Sequence, residues 1–325
     1  MKQKNWVKGN IEKLFISFII VLITSVGSSQ ETPPLHNGTV QRIVVHGKGL
    51  EGNLEGDPAD RNVSVYLPAS YSNNPGRRYP VVYFLHGFTD NDAQWYGLTK
   101  HWINLPKILD TAFSEDSSHE MIFVTPDAYT RFQGSFYGNS ATTGNWEDFI
   151  AKELVSYIDN HYRTIPKAGS RGLAGHSMGG FGTMRIGQKY PDIFSCIYML
   201  SPGAIKMYGP FNPTNAVKWE AIKTMKDFEK TDFGTKAMFA VAAAWSPNPD
   251  NPPFYLDLPV RNGENQLNIQ AKWFANSPFA ALDQYIPNYK RLHAIGFDAG
   301  DKDKSIASDI TLLHHELDKY GIRHS

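Results

Sequence analysis

Residues 173–180 read LAGHSMGG. A short apolar run, RGLAG at 171–175, leads into this stretch, and a helix-like segment from Met178 to Tyr190, stopped by Pro191, leads out of it. A serine between Gly175 and Gly179, placed where a strand turns into a helix, is the context of a nucleophile elbow. The reason is steric: the turn is sharp and strained, and a side chain at either glycine would strike neighbouring backbone. The bland alternative is a tight strand–helix turn that happens to carry a serine. The flanking pattern and the extra room at Gly180 favour Ser177 as a nucleophile. His176 is the tempting proton acceptor, but a residue beside the nucleophile on such a turn points elsewhere, so packing is its expected role.

Outward from this point, short β-branched or apolar runs alternate with helix-like stretches. VSVYLP (63–68), VVYFLHG (81–87), MIFVTP (121–126), IFSCIYML (193–200) and HAIGFDAG (293–300) read as strands, several of them apolar throughout. Helices are expected around 99–113, from an Asn145 N-cap with Asp148 in the first turn, over 178–190, and over about 304–320. This alternation implies an α/β fold, a mostly parallel sheet with helices on both faces. The segment 202–290, rich in Pro, Asn and aromatics (GPFNPTN, WSPNPDNPPFYLDLP), breaks the rhythm. It reads as long structured loops with one or two helices, suited to the rim of a site.

A second stretch supports the first. VVYFLHGFTD ends a strand in His86-Gly87-Phe88, where a loop can aim the Phe88 N–H toward the serine. With the N–H of Met178 it would form an oxyanion hole, built from backbone and not from the His86 ring.

Composition agrees with a globular α/β domain: 41% of the 325 residues are apolar, 13% aromatic and 20% charged. Basic and acidic side chains number 32 each and no window concentrates one sign, which argues against a nucleic-acid partner. Lys2, Lys4, Lys8 and Lys13 precede the apolar run LFISFIIVLI, and the small residues SVGSS follow. That is the order of a secretory signal peptide over residues 1–29, and Leu14 to Val26 is too short to span a bilayer. A domain over 30–325, secreted or periplasmic and without a stable membrane span, is expected. Loss of the four lysines and Glu12 leaves 28 basic and 31 acidic residues, close to neutral. Cys196, the single cysteine, excludes an intrachain disulfide and reads as a small packed hydrophobe.

RNVSVYLPASY, RRYPVVYFLHG, NWEDFIAKELVSYID, GLAGHSMGGFG and FDAGDKD together resemble the esterase D-like α/β-hydrolases, from about residue 40 onward. That family includes feruloyl and acetylxylan esterases, S-formylglutathione hydrolases, siderophore esterases and mycolyltransferases. The resemblance implies an α/β-hydrolase fold and a triad in the order Ser, acid, His. Its G-x-x-D pattern falls on Gly300 to Asp303, so Asp303 is the acid implied, with Asp301 and then Asp298 as alternatives. A calcium loop is excluded because Ile306 and Leu312 stand where glycine and glutamate are needed, and neither a metal nor another cofactor is implied.

The resemblance places the histidine about thirty residues past the acid, beyond Ser325. His314 and His315 read as surface or packing residues of the last helix, and His324 as the start of a final strand. The expectation is therefore a C-terminally incomplete domain lacking its triad histidine, with a last strand and helix missing. The function expected is a serine carboxylic-ester hydrolase acting through an acyl-enzyme on Ser177. Its substrate would be a small-molecule or polysaccharide ester, with feruloyl and acetyl groups as examples. An acyltransferase and a non-catalytic binding protein are the alternatives. Trp95, Tyr96, Phe136, Tyr137, Trp146 and Trp245 fall in loop-like stretches and are candidates to line a mouth that stacks rings.

Overall fold

The computed structural model describes residues 37–207 and 211–325; the signal-peptide expectation over 1–29 lies outside the described residues. Seven strands form one sheet: β1 Thr39–His46, β2 Asp60–Leu67, β3 Val81–Leu85, β4 Ile122–Pro126, β5 Arg171–His176, β6 Cys196–Leu200 and β7 Ala294–Asp298. Their spatial order is β1-β2-β4-β3-β5-β6-β7. The β1–β2 and β2–β4 pairs are antiparallel, and every pair from β4 to β7 is parallel. β1 is not among the strands expected from the sequence: TVQRIVVH is rich in β-branched residues but lacks the long unbroken apolar run of the central strands, and it lies mostly exposed. It pairs along its whole length with β2 as the edge of the sheet.

The principal helices are α1 Leu105–Glu115, α2 from Trp146 to His161 with a π-helical middle at Phe149–Leu154, α3 Met178–Lys189, α4 Phe233–Trp245, α5 Leu267–Asn276 and α6 Lys304–Lys319. Strand alternation divides the core. Val81, Tyr83 and Leu85 of β3 pack with Phe181, Met184 and Ile186 of α3, whereas Val82 and Phe84 pack with Leu105, Leu109 and Phe113 of α1. Helices thus cover both faces, as expected for a parallel sheet whose strands are buried on each side.

The segment 202–290 departs from its reading as rim loops. It holds α4 and α5 and several shorter helices. Phe239 to Trp245, Ile269, Trp273 and Leu282 join the same core as the sheet. Its Pro- and Asn-rich stretches connect these helices, and the apolar run FAVAAAW is what carries it inward. Among the described residues no helix is long and apolar enough to cross a membrane.

Candidate active site

Ser177 stands between the end of β5 and the first residue of α3, with φ 54° and ψ −112°. That backbone conformation is costly for a residue with a Cβ and persists only where the surroundings hold it. They do. The Ser177 N–H donates to Leu200 O at 3.0 Å, and its carbonyl accepts from Phe181 N–H and Gly203 N–H, each at 3.0 Å. The glycines are required by contact: a Cβ at Gly175 would lie 2.4 Å from Gly179 O, and one at Gly179 would lie 1.9 Å from Leu85 O. The elbow read from LAGHSMGG is therefore present, wedged between the C-terminal ends of β3 and β6.

Met178, as the first residue of α3, has no intrahelical partner for its N–H. Phe88 lies in the loop after β3. A short segment supports both residues: Thr89 N–H donates to Gln133 O at 3.0 Å, and Tyr137 Oη–H donates to His86 O at 3.1 Å. Gly134 in the same segment has space only for hydrogen, because a Cβ there would meet Met178 Sδ at 2.6 Å and Phe88 at 2.7 Å. Gln133, Phe136 and Tyr137 all adopt positive φ, so this loop is bent tightly against the site. Nothing in local sequence signals this role, since its partners lie some forty to fifty residues away.

His86 is fully committed: Nδ1–H donates to Gly87 O at 2.8 Å and Nε2 accepts from Ala128 N–H at 2.8 Å. Burial pushes its pKa down, so the neutral ring suits this structural task. His176 packs its ring against Trp95 and Trp102, with centroids 5.6 and 5.9 Å away, and burial lowers its pKa as well. Beside it, Asp90 accepts from Trp95 Nε1–H at 3.1 Å and lies 3.8 Å from His101 Nε2. Among the described residues no hydrogen bond joins Ser177 Oγ to a histidine.

Asp303 is exposed and caps α6, its carboxylate accepting from Ile306 N–H at 3.3 Å and Ser305 Oγ–H at 3.1 Å. Asp301 is exposed in the turn before it. Asp298 ends β7 on the rim that carries the elbow: its carbonyl accepts from Ser201 N–H at 2.9 Å and its carboxylate from Tyr198 Oη–H at 2.6 Å. That carboxylate, with burial the larger cause, pushes the Tyr198 phenol well above its ordinary pKa.

The aromatics expected at a mouth are buried instead: Trp95, Tyr96, Phe136, Tyr137, Trp146 and Trp245 are all core side chains. Phe136 and Trp245 pack on Phe181 of α3. Two other rings adjoin the site from outside. Trp102 is 70% exposed beside His176, and Phe233 is 65% exposed with its centroid 5.3 Å from that of Phe88.

The family described as "Putative esterase" matches residues 58–316, which include both the elbow and the loop after β3. The chain belongs to this esterase family. An esterase of Mycobacterium tuberculosis (strain H37Rv) is 34% identical over 139 residues, covering 41% of the chain and 27% of that relative. The match thus spans about a quarter of the curated relative's length. A solved ferulic acid esterase superposes with a TM-score of 0.59 at 20% identity, over 89% of this chain and 88% of that one. The S-formylglutathione hydrolase of Staphylococcus aureus gives 0.54 at 17% identity, over 89% of each chain. These likenesses establish the α/β-hydrolase fold for this esterase-family chain.

Proposed function

We propose that the protein is a serine carboxylic-ester hydrolase, and the strained conformation of Ser177 above the sheet carries this reading. Ser177 Oγ attacks the ester carbonyl carbon and gives up its proton to a base. The carbonyl π pair becomes an oxyanion facing the Phe88 and Met178 N–H groups. Collapse expels the alcohol, which takes up a proton and leaves an acyl-serine. Water then repeats the attack and releases the acid. Membership of an esterase family supports the reaction class. The G-x-x-D pattern of the family resemblance favours Asp303 as the acid, with Asp301 and then Asp298, on the same rim as the elbow, as its competitors.

Trp102 and Phe233 support esters that carry a flat ring or a sugar, because exposed aromatic faces flanking a nucleophile can stack either. The basic-then-apolar order of residues 1–29 supports export, so the esters would be met outside the cytoplasm.

The test is covalent labelling with a fluorophosphonate followed by peptide mapping. The label is expected on Ser177, to disappear in Ser177→Ala and to persist in Ser201→Ala. Labelling that survives Ser177→Ala refutes the assignment.

A further inference from the structure

His314 and Asp318 sit one helical turn apart on an exposed face of α6, and His324 comes back to meet them from the segment after the helix. One ligand atom of each lies within 4.8 Å of the others. The three belong to the wall of an open hollow of about 680 Å³ beside β7.

The hydrogen bonds fix how these atoms are presented. His324 Nδ1 lies 2.8 Å from Ile322 O, and a carbonyl only accepts, so Nδ1 carries the proton and Nε2 carries a lone pair. That lone pair faces His314 Nδ1 at 2.6 Å, so His314 Nδ1–H is the donor. In the neutral ring, His314 Nε2 then holds a lone pair aimed at Asp318 Oδ2, 3.4 Å away. Two electron-rich atoms meet with nothing positive between them. Their separation is close to the ~3.3 Å edge of a tetrahedral site with metal–ligand bonds of ~2.0–2.1 Å.

His324 is set up as a ligand in two further ways. Its other ring nitrogen is held by a backbone carbonyl, the outer contact that orients metal-bound imidazoles. Its ring stacks on Phe297 of β7, with centroids 5.3 Å apart and planes 18° apart, which limits its motion.

We propose that His314, Asp318 and His324 bind a divalent transition-metal ion of the zinc class. Two imidazoles and one carboxylate form a borderline nitrogen–oxygen set, suited to Zn²⁺ or Co²⁺ and poorly suited to Mg²⁺ or Ca²⁺. Three protein ligands leave a fourth position to water. Binding requires the hydrogen bond between the two rings to break and the His314 ring to reorient, so that both Nε2 atoms face the ion. The ion ties residues 322–325 to α6. Ser325 in turn accepts from Phe297 N–H at 3.0 Å and donates to Ile295 O at 3.1 Å along the edge of β7, so the site clamps this segment onto the sheet.

The protein, free of any polyhistidine tag and stripped with EDTA, is titrated with ZnCl₂ by calorimetry and with CoCl₂ by visible absorption. One ion per chain is expected, with the absorption of tetrahedral Co²⁺. Zinc at about a hundredfold excess over Kd should raise Tm by about 5 °C or more. His314→Gln and His324→Gln should each weaken binding about tenfold or more, because losing a ligand costs at least as much as losing an outer-shell partner. His315→Gln, on the same helix but outside the trio, should bind as the parent does. If either histidine variant fails to fold, Asp318→Asn, which alters an exposed carboxylate, reads the same loss. Absence of saturable binding, or unchanged affinity in His314→Gln and His324→Gln, overturns the proposal and leaves a proton shared by the two rings as the reason for their contact.

Discussion

Gly179→Ala sets two physical effects of opposite sign against each other at the candidate nucleophile. Gly179 lies in the first turn of α3, and replacing an ordinary helical glycine with alanine stabilises by about 1 kcal/mol. Here the new methyl would lie 1.9 Å from Leu85 O, 2.4 Å from Leu85 C and 2.9 Å from His86 O, where ordinary contact begins at 3.4 Å. These atoms are main chain at the end of a central strand that pairs with β5, so no side chain can rotate out of the way. Overpacking in cores costs ~1–3 kcal/mol and occasionally more, and a backbone obstacle belongs at the upper end. The expected net loss is therefore about 2 kcal/mol. With an m-value near 3 kcal/mol/M, this lowers the urea midpoint by roughly 0.7 M.

The chemistry should suffer more than the fold, because relief of the clash shifts α3 away from β3 and takes Ser177 with it. A misplacement of about 1 Å can cost ~10²-fold in rate. Urea unfolding and the rate of fluorophosphonate labelling would be measured on Gly179→Ala beside Gly300→Ala, where a Cβ meets nothing within 4 Å. Gly300→Ala should behave like the parent in both assays. If Gly179→Ala keeps the parent's midpoint and labelling rate, the elbow geometry derived for Ser177 is wrong.

Glu147 is buried and accepts from Arg185 Nε–H at 2.8 Å and Lys189 Nζ–H at 2.9 Å, so Glu147→Gln should cost about 3–5 kcal/mol in urea unfolding by leaving buried cations underpaired. Burial lowers the pKa of His176 and His86 from the ordinary 6.5, so their contribution to stability is complete above that pH and is lost as pH falls toward the depressed folded values; His176→Gln should flatten the Tm-against-pH curve below 6.5. Trp102→Ala should raise KM for a feruloyl ester several-fold while leaving KM for p-nitrophenyl acetate and Tm nearly unchanged, since the ring is mostly solvent-facing. Asp303→Asn preserves the helix cap while removing the charge, so a large loss of kcat there, with none in Asp298→Asn, would identify Asp303 as the acid; the reverse pattern would identify Asp298.

The sequence by itself determined the features that depend on neighbours in the chain. LAGHSMGG announces the elbow because its glycines answer to steric limits within a few residues. The inner strands were legible because burial on both faces demands unbroken apolar runs, as in VVYFL and IFVTP. α3 was bounded by Pro191, and α6, expected over about 304–320, is found at Lys304–Lys319. Only the tertiary structure decided which of many similar side chains meet. TVQRIVVH is rich in β-branched residues, but only its pairing with β2 decides that it forms the antiparallel edge of this sheet. Trp95, Trp146 and Trp245 went to the core while Trp102 and Phe233 stayed outside, a choice made by what packs above each ring and not by residue type. His314 and His324 are ten residues apart, and neither their spacing nor their surroundings in the chain bring them together. The turn at Gly321 and the pairing of Ser325 with β7 do so, because contact between sequence-distant groups is set by where the backbone is held.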